Sequence, residues 1–440
     1  MKNTFIKIFL STGFVLMLSS CSLDPVVDPN FASVGAVSKN ASKAQLDGLV
    51  TGQIAAARNG LATYHQVVGT LGKELFNFNG TESRWMTELN GLRPIDNSAF
   101  YNGATTGFGL PVRQANTLLA ALENTSSVTE TEKNAYRGVA NTFKGLAYLY
   151  MLNVQYANGV RLNIEDPFKP SKPVSYAESL AGIASFLDQG ASQLDAAGST
   201  FPFGMPATYA GFNTPSTFKQ FNRAIALRVA IYQKDWAKAE ALLPQTFITE
   251  TGSLTLGPKH SFNATAPDIA NPLLSTASQI IVGVEKIWDD IEPGDTRKSK
   301  VLEVTPKLSY TSGVTYATKY RVNMYLLADA PAPIIRNEEL LLIAAEVAAQ
   351  RNRPADAVKF INIVRTGAGL PNYAGATTTP ALIDAILKER LYSLFYEGHR
   401  WIDMRRYDKF SEVHLPVAEM KILPQLERPV AEVNWDNANP

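Results

Sequence analysis

The segment 388–406, KERLYSLFYEGHRWIDMRR, gathers acidic and basic residues around a single glycine, Gly398. Large apolar residues lie between the charged ones, so the segment must contact charged groups and apolar side chains at the same time. One interpretation makes Glu397, His399 and Asp403 an acid–base set. The other makes the charges a mutually paired network, in which guanidinium groups donate bidentately to carboxylates and fix how the last helix packs. We favour the network and predict no catalytic residue.

Upstream, apolar residues recur every three or four positions over much of the chain, which predicts a mainly α fold. The capping boxes Thr129–Glu132 and Ser175–Glu178 mark the start of two long helices, and Thr214-Pro215 marks the start of a third. Further helices are predicted around residues 43–62, 111–123, 336–350, 355–365 and 380–396.

Two segments, 230–239 and 348–357, are similar to each other and read as helix, turn and helix. Small alanines at these spacings let two antiparallel helices approach closely, as in tetratricopeptide units. Between about 245 and 333 the helical period disappears, and β-branched and aromatic runs alternate with Gly and Pro. We interpret this stretch as an irregular insertion with minor β structure, to which we assign Tyr310, Tyr316, Tyr320 and Tyr325.

Segment 388–406, together with 333–349 (PIIRNEELLLIAAEVAA) and 362–370 (NIVRTGAGL), closely resembles the SusD/RagB family of outer-membrane lipoproteins. Nearly every fixed position of the family pattern is filled, in order. Two short stretches, Glu74–Phe76 and Thr81–Trp85, are similar to an early family segment. The resemblance implies a SusD-like helical fold with tetratricopeptide-like helix pairs.

The overall charge excludes one class of function. The chain has 440 residues with 41 basic and 40 acidic side chains, and 45% of its residues are hydrophobic. Two of the basic residues, Lys2 and Lys7, lie in a predicted signal peptide, which leaves 39 basic against 40 acidic residues. Because the positive and negative charges are almost equal in number, the chain provides no electrostatic surface for nucleic acid or anionic lipid.

The chain has one cysteine, Cys21, preceded by a positive segment and by an apolar run too short to span a bilayer. Residues 18–21 resemble a bacterial lipobox, and the alternative is an ordinary signal peptide with an incidental cysteine. We predict a signal peptide over 1–20, a lipidated tether over 21–40 and a single helical domain over 41–440. Acyl chains on Cys21 would anchor the protein to a membrane, and the family resemblance implies that this is the outer membrane, with the body facing the cell exterior.

No pattern for a cofactor or a metal is present in the sequence. The four histidines (His65, His260, His399 and His414) are far apart, with no two at a helical ligand spacing. The sequence lacks a G-x-S-x-G elbow, a P-loop and a G-x-G-x-x-G motif. A glycosidase pair of carboxylates cannot be identified from spacing, because no two of the 40 acidic residues stand out.

The family resemblance implies a non-catalytic, cell-surface subunit for polysaccharide utilisation, which captures an oligosaccharide and passes it to a SusC-like TonB-dependent transporter. Sugar binding needs aromatic faces and polar side chains on loops held by a rigid scaffold. The segment 76–85, FNFNGTESRW, combines both outside the clear helices. For each aromatic the alternative is a packing role. The predicted ligand-binding residues are Phe78, Asn79, Arg84, Trp85, Tyr101 and Trp288.

Two other functions stay open at this point. The chain could serve as a lid or adaptor on its transporter, or as a peptide-binding subunit, with little affinity for glycans. A surface glycoside hydrolase is the least favoured reading.

Overall fold

The computed structural model describes residues 37, 39–166 and 169–439. The predicted signal peptide, Cys21 and most of the tether lie outside these residues. The described part is mainly α-helical, which confirms the predicted fold class. Its helices of seven or more residues are α1 (Lys43–Ala56), α2 (Leu61–Leu71), α3 (Gly109–Asn124), α4 (Glu130–Gln155), α5 (Tyr176–Asp195), α6 (Pro215–Tyr232), α7 (Trp236–Leu242), α8 (Asn337–Gln350), α9 (Pro354–Gly367), α10 (Thr379–Ser393), α11 (Arg400–Arg406) and α12 (Val430–Ala438).

The predicted capping residues begin the long helices. The Thr129 hydroxyl accepts a hydrogen bond from the Glu132 backbone N–H, and the Glu132 carboxylate accepts one from the Thr129 N–H in return. Thr214 caps α6 in the same way, with Pro215 in its first turn. These bonds satisfy backbone donors that have no partner inside the helix.

The predicted helix over 43–62 is wrong in its extent. The chain forms α1, turns, and starts α2 after Gly60. A Cβ at Gly60 would lie 2.9 Å from the Phe108 ring, so the turn packs directly against that aromatic residue. Helix α2 is buried over almost its whole circumference. It therefore lacks the alternation of apolar and polar faces from which helices are predicted.

Helix pairs form the main layer of the molecule. Gly138 and Gly145 of α4 let α5 approach closely, because a Cβ at these positions would lie 2.6 Å from Leu194 and 2.9 Å from Leu187. The two similar segments become the turns that join α6 to α7 and α8 to α9. Ala230, Ala239, Ala348 and Ala357 are buried where the helices meet, whereas Ala237 and Ala355 are exposed. The predicted close helix pairs are thus confirmed.

A small antiparallel sheet covers one side of the helices, in the order β1-β3-β5-β4. Strands β4 and β5 form a hairpin in which Ser312 pairs with Val314 across the turn. Strand β1 pairs with β3, with Leu75 opposite Gly283. Tyr325 was assigned to this sheet, but it follows the end of β5 in a loop, so that assignment is wrong. The strands are β1 (Leu75–Asn79), β2 (Lys259–His260), β3 (Gln279–Gly283), β4 (Val301–Ser312), β5 (Val314–Val322) and β6 (Ala332–Pro333), of which β2 and β6 pair separately.

The charged segment 388–406 is a buried ion-pair network, as predicted. Arg406 donates to both carboxylate oxygens of Glu346, at 2.6 and 3.1 Å, and to Asp403 at 2.8 Å. Arg390 donates to the other Asp403 oxygen at 2.6 Å. Burial alone would raise the pKa of Asp403, but the two guanidinium groups lower it to about 2. The network joins α8, α10 and α11 into one unit.

Candidate functional site

The candidate site is the surface loop after β1, residues 79–102, where five of the six predicted ligand-binding residues lie or adjoin. Asn79 fixes the start of the loop. Its side-chain oxygen accepts from the Thr81 N–H at 2.8 Å, the Thr81 hydroxyl at 2.9 Å and the Glu82 N–H at 3.1 Å. The Asn79 side chain is itself buried, so it shapes the loop from within.

Arg84 is the charged group that the loop presents. Its guanidinium donates to both carboxylate oxygens of Glu82, at 2.9 and 2.7 Å, and to Asp96 at 3.2 Å. The hydrogen bond from Arg84 lowers the pKa of Glu82. About a third of the Arg84 side chain remains exposed. The two carboxylates thus hold a row of N–H donors at a set position on the surface.

Phe100 provides an accessible ring next to Arg84. The Arg84 guanidinium lies 5.7 Å from the Phe100 ring centroid, and the Trp85 ring packs against the other part of Phe100 at 4.6 Å. Trp85 is only 6% exposed, whereas Phe100 is half-buried. The structure therefore places Trp85 beneath the surface as the support of Phe100, and Phe100 is the ring that a ligand can reach.

Tyr101 lies deeper than its neighbour Phe100, whose ring it meets edge-on with centroids 5.2 Å apart. Its side chain is buried, and its hydroxyl donates to Glu88 at 2.7 Å or to the Asp96 carbonyl at 2.6 Å. Burial and the Glu88 carboxylate raise the pKa of Tyr101 well above its usual value. Tyr101 therefore anchors the loop. Its ring has no exposed face in this structure on which the predicted ligand contact could be made.

A second aromatic stack lies beside the loop. Phe78 on β1 stacks on Tyr310, near the tip of the β4–β5 hairpin, with ring centroids 5.6 Å apart and planes inclined by 25°. Tyr316 meets Phe78 edge-on at 6.1 Å. Phe78 is buried and Tyr310 half-buried, so the outer ring of this stack is Tyr310.

Trp288 lies apart from the loop and inside the core. Its indole is fully buried and meets Phe395 edge-on at 4.8 Å and Tyr392 at 5.8 Å. The prediction that Trp288 offers a stacking face is at odds with this burial. The next two residues, Asp289 and Asp290, face a surface cleft of about 430 Å³ that Tyr316 and His414 also line.

The alternative acid–base set has no free group. Both Glu397 oxygens accept from Arg336, at 2.8 and 3.2 Å, and Asp403 is held by two arginines. Burial lowers the pKa of His399 to about 4. In the described residues no three His, Cys, Asp or Glu side chains are grouped so that they could hold a metal ion.

Sequence reasoning missed Phe100 and Tyr310 as the outward-facing rings. Phe100 and Tyr101 are adjacent in a 3₁₀ turn, and only the fold decides which of the two faces inward. Arg84 is the one predicted residue with a substantial exposed side chain. A half-buried ring next to fixed hydrogen-bond donors suits the apolar face and the hydroxyl groups of a sugar.

Comparison with known proteins finds a matching family model, a curated relative and similar solved structures. Residues 305–436 match the model of the SusD family. A curated relative, the SusD-like protein P38 of Formosa agariphila, is 32% identical over 98 residues. That match spans 20% of this chain and only 19% of the relative's own length. In the part of this chain that the structure describes, no helix is long and apolar enough to cross a membrane.

Solved structures share the fold over almost the whole chain. The surface glycan-binding protein A of Bacteroides thetaiotaomicron is 14% identical, with a TM-score of 0.70 over 91% of this chain and 98% of that one. The same protein in complex with laminarihexaose gives a TM-score of 0.69 at 13% identity, over 91% and 99% of the two chains. At these identities the similarity shows a shared fold.

Proposed function

We propose that the chain, whose residues 305–436 match the model of the SusD family, is a surface glycan-binding lipoprotein. In this proposal it is anchored to the outer membrane through Cys21 and faces the cell exterior. It captures oligosaccharides and delivers them to a SusC-like TonB-dependent transporter.

The observation that carries the binding proposal is the arrangement of Arg84 and Phe100. A sugar ring would stack its apolar face on Phe100, and its hydroxyl groups would accept hydrogen bonds from the Arg84 guanidinium. Glu82 and Asp96 hold that guanidinium in place, so little side-chain freedom is lost on binding. Tyr310 extends the surface on the side of the sheet.

The similar fold of surface glycan-binding protein A supports the same ligand class, because that protein has been solved with laminarihexaose. A β-linked glucan is therefore the first ligand to try, followed by other neutral oligosaccharides.

Isothermal titration calorimetry with such a panel tests the proposal. We expect saturable binding that Phe100→Ala weakens at least tenfold, since stacking on an aromatic ring is lost. Tyr373→Ala is the matched control, because Tyr373 is also half-buried but lies in the loop between α9 and α10. An absence of heat with every oligosaccharide would favour the adaptor function instead.

We further propose that the protein performs no catalysis. Incubation of the purified chain with a glycan that it binds should leave the chain-length distribution unchanged in chromatography. Release of shortened products, retained after removal of contaminating enzymes, would support the hydrolase function.

The anchor and the transporter are tested in cells. Cys21→Ser should abolish acylation and release the protein from the outer membrane. The wild-type chain should co-purify with a TonB-dependent transporter from detergent-solubilised outer membranes. Recovery of unacylated wild-type protein from the periplasm would contradict both parts of the proposal.

A further inference from the structure

Helix α12 (Val430–Ala438) contacts the candidate loop 79–102 but has little apolar packing of its own. None of its side chains, all of which the structure describes, is fully buried. Most helices in proteins are stabilised by packing of an apolar face, and short isolated helices are only marginally stable in water. Polar contacts to the rest of the chain therefore contribute strongly to holding α12 in place.

Asp436 makes the shortest of these polar contacts. One of its carboxylate oxygens accepts a hydrogen bond from Arg161 and the other accepts one from Arg428, each at 2.6 Å. The Arg161 side chain is only 9% exposed, and it also donates to the Ser171 carbonyl at 2.7 Å and to the Glu432 carbonyl at 3.4 Å. Asp436 thus fastens α12 to the segment between α4 and α5.

The start of α12 is joined to the candidate loop through Asn97. The Val430 N–H donates to the Asn97 carbonyl at 2.9 Å, and the Asn97 side chain donates to the Arg428 carbonyl at 3.1 Å. The part of the loop around Asn97 has little other support, because none of residues 91–98, all of them described, is fully buried. The paired hydrogen bonds to α12 therefore help to fix this part of the loop.

Asn97 is connected to both groups that the glycan proposal uses. Its carbonyl also accepts from the side chain of Asn102, which ends the 3₁₀ turn that carries Phe100. The residue before it, Asp96, accepts from the Arg84 guanidinium at 3.2 Å. A displacement of Asn97 would therefore move the stacking ring and the guanidinium together.

We infer that α12 positions the glycan site, with Asp436 and Asn97 as positioning residues that act through Phe100 and Arg84. The inference rests on the proposed function, which supplies the ligand. While two arginines hold Asp436, α12 is docked and the loop keeps the stacking ring beside the guanidinium. When α12 is undocked, the loop loses both hydrogen bonds to Asn97, and the affinity for the glycan falls.

Calorimetry with Asp436→Asn tests the positioning role. The probe is the oligosaccharide of the panel that the wild-type chain binds most tightly, with laminarihexaose tried first. Asparagine has the shape of aspartate but lacks the charge that the two arginines share, and it turns an amide donor toward one of them. We expect the glycan affinity to fall at least about fivefold, which is the lower end of typical coupling between two sites.

Asp188→Asn is the matched control. Asp188 also bridges two cations, since it accepts from Arg223 at 2.7 Å and from Lys238 at 3.1 Å, but it links α5 to α6 and α7. Both variants should keep the fold, because both carboxylates are partly exposed, and a thermal unfolding scan checks this. We expect only Asp436→Asn to lose glycan affinity. Equal glycan affinity of the two variants would overturn the inference.

Hydrogen exchange tests the inference on the wild-type chain. Coupling between two sites is reciprocal, so a ligand that binds better when α12 is docked also favours the docked state. A saturating concentration of the oligosaccharide should therefore slow the exchange of the backbone amides of residues 430–438. Unchanged exchange in α12 would contradict the coupling.

A measurement without ligand separates this inference from the proposed function. In ligand-free Asp436→Asn the backbone amides of residues 91–102 should exchange faster than in the wild-type chain, because local opening becomes easier, and in Asp188→Asn they should not. Unchanged exchange of residues 91–102 in Asp436→Asn would overturn the inference, whatever the wild-type chain binds. Faster exchange there, in a protein whose wild-type chain binds no oligosaccharide, would refute the glycan proposal and support the hold of α12 on the loop.

Discussion

Replacing Glu339 by glutamine is expected to destabilise the fold strongly, because it leaves a buried arginine without its counter-charge. Arg228 donates two parallel hydrogen bonds of 2.7 Å to the Glu339 carboxylate, and both side chains are almost fully buried. Burial raises the pKa of Glu339, but Arg228 outweighs burial and lowers it to about 2. The pair is therefore fully ionised at neutral pH.

The size of the effect follows from the geometry. Removing one partner of a buried ion pair costs about 3–5 kcal/mol, because the remaining charge is still desolvated. Glutamine keeps one acceptor oxygen, but it turns an amide N–H₂ toward a guanidinium that can only donate. Replacing both partners with apolar residues, as in R228M/E339L, should recover most of the loss. The Ile334 carbonyl, which accepts from Arg228 at 3.0 Å, stays unpaired in that variant.

Urea unfolding followed by far-ultraviolet circular dichroism and by tryptophan fluorescence measures these free energies, and coincident transitions justify a two-state treatment. Glu240→Gln is the matched control. Glu240 is likewise paired with arginine, in this case Arg351 and Arg353, but the pairs lie at the surface. There we expect Glu240→Gln to lower the free energy of unfolding by less than about 1 kcal/mol. If Glu339→Gln costs no more than this control, the buried network does not stabilise the fold as argued.

Three further predictions concern stability. Burial raises the pKa of Glu74 from 4.5 to about 8, so the folded chain retains a proton that the unfolded chain releases, and stability should fall as the pH rises from 4.5 to 8. Glu74→Gln should flatten this slope in urea unfolding series at pH 5 and pH 8, and an unchanged slope would contradict the assignment. Gly138→Ala should destabilise the fold by about 1–3 kcal/mol through the contact with Leu194, whereas Gly48→Ala, with open space around its Cβ, should stabilise it by up to about 1 kcal/mol. Trp288→Ala should cost about 3–5 kcal/mol in the same assay and leave the glycan affinity of the folded chain unchanged, and a selective loss of affinity would restore Trp288 to the site.

Helix starts could be predicted from the sequence because the determining contacts are local. A capping side chain and its partner are three residues apart, as in Thr129–Glu132, and the periodic apolar face follows directly. Helix α2 could not be predicted in this way, since its surroundings on every side come from distant parts of the chain. Strand β1 was missed for the same reason, because its partner β3 lies about 200 residues away.

The candidate loop could be located but not oriented. Aromatic and polar residues outside the clear helices indicated the segment around Arg84 and Trp85. The side that each ring faces depends on contacts made after folding, such as the hydrogen bonds of Tyr101 to Glu88 and Asp96. For this reason the sequence predicted Trp85 and Tyr101 as ligand contacts, whereas in the structure Phe100 is the less buried ring.

The residues that identify the family are unavailable to a ligand. The carboxylates of Glu397 and Asp403 are occupied by arginines, and these groups are buried where the C-terminal helices meet. Ion pairing in this network fixes the scaffold, so in the proposed function the choice of ligand falls to side chains outside the motif, such as Arg84, Phe100 and Tyr310. Two chains can therefore share the motif and the fold at low sequence identity and still differ in the sugar that they bind. Ligand specificity should accordingly follow exchange of the loop 79–102, with the charged network left intact.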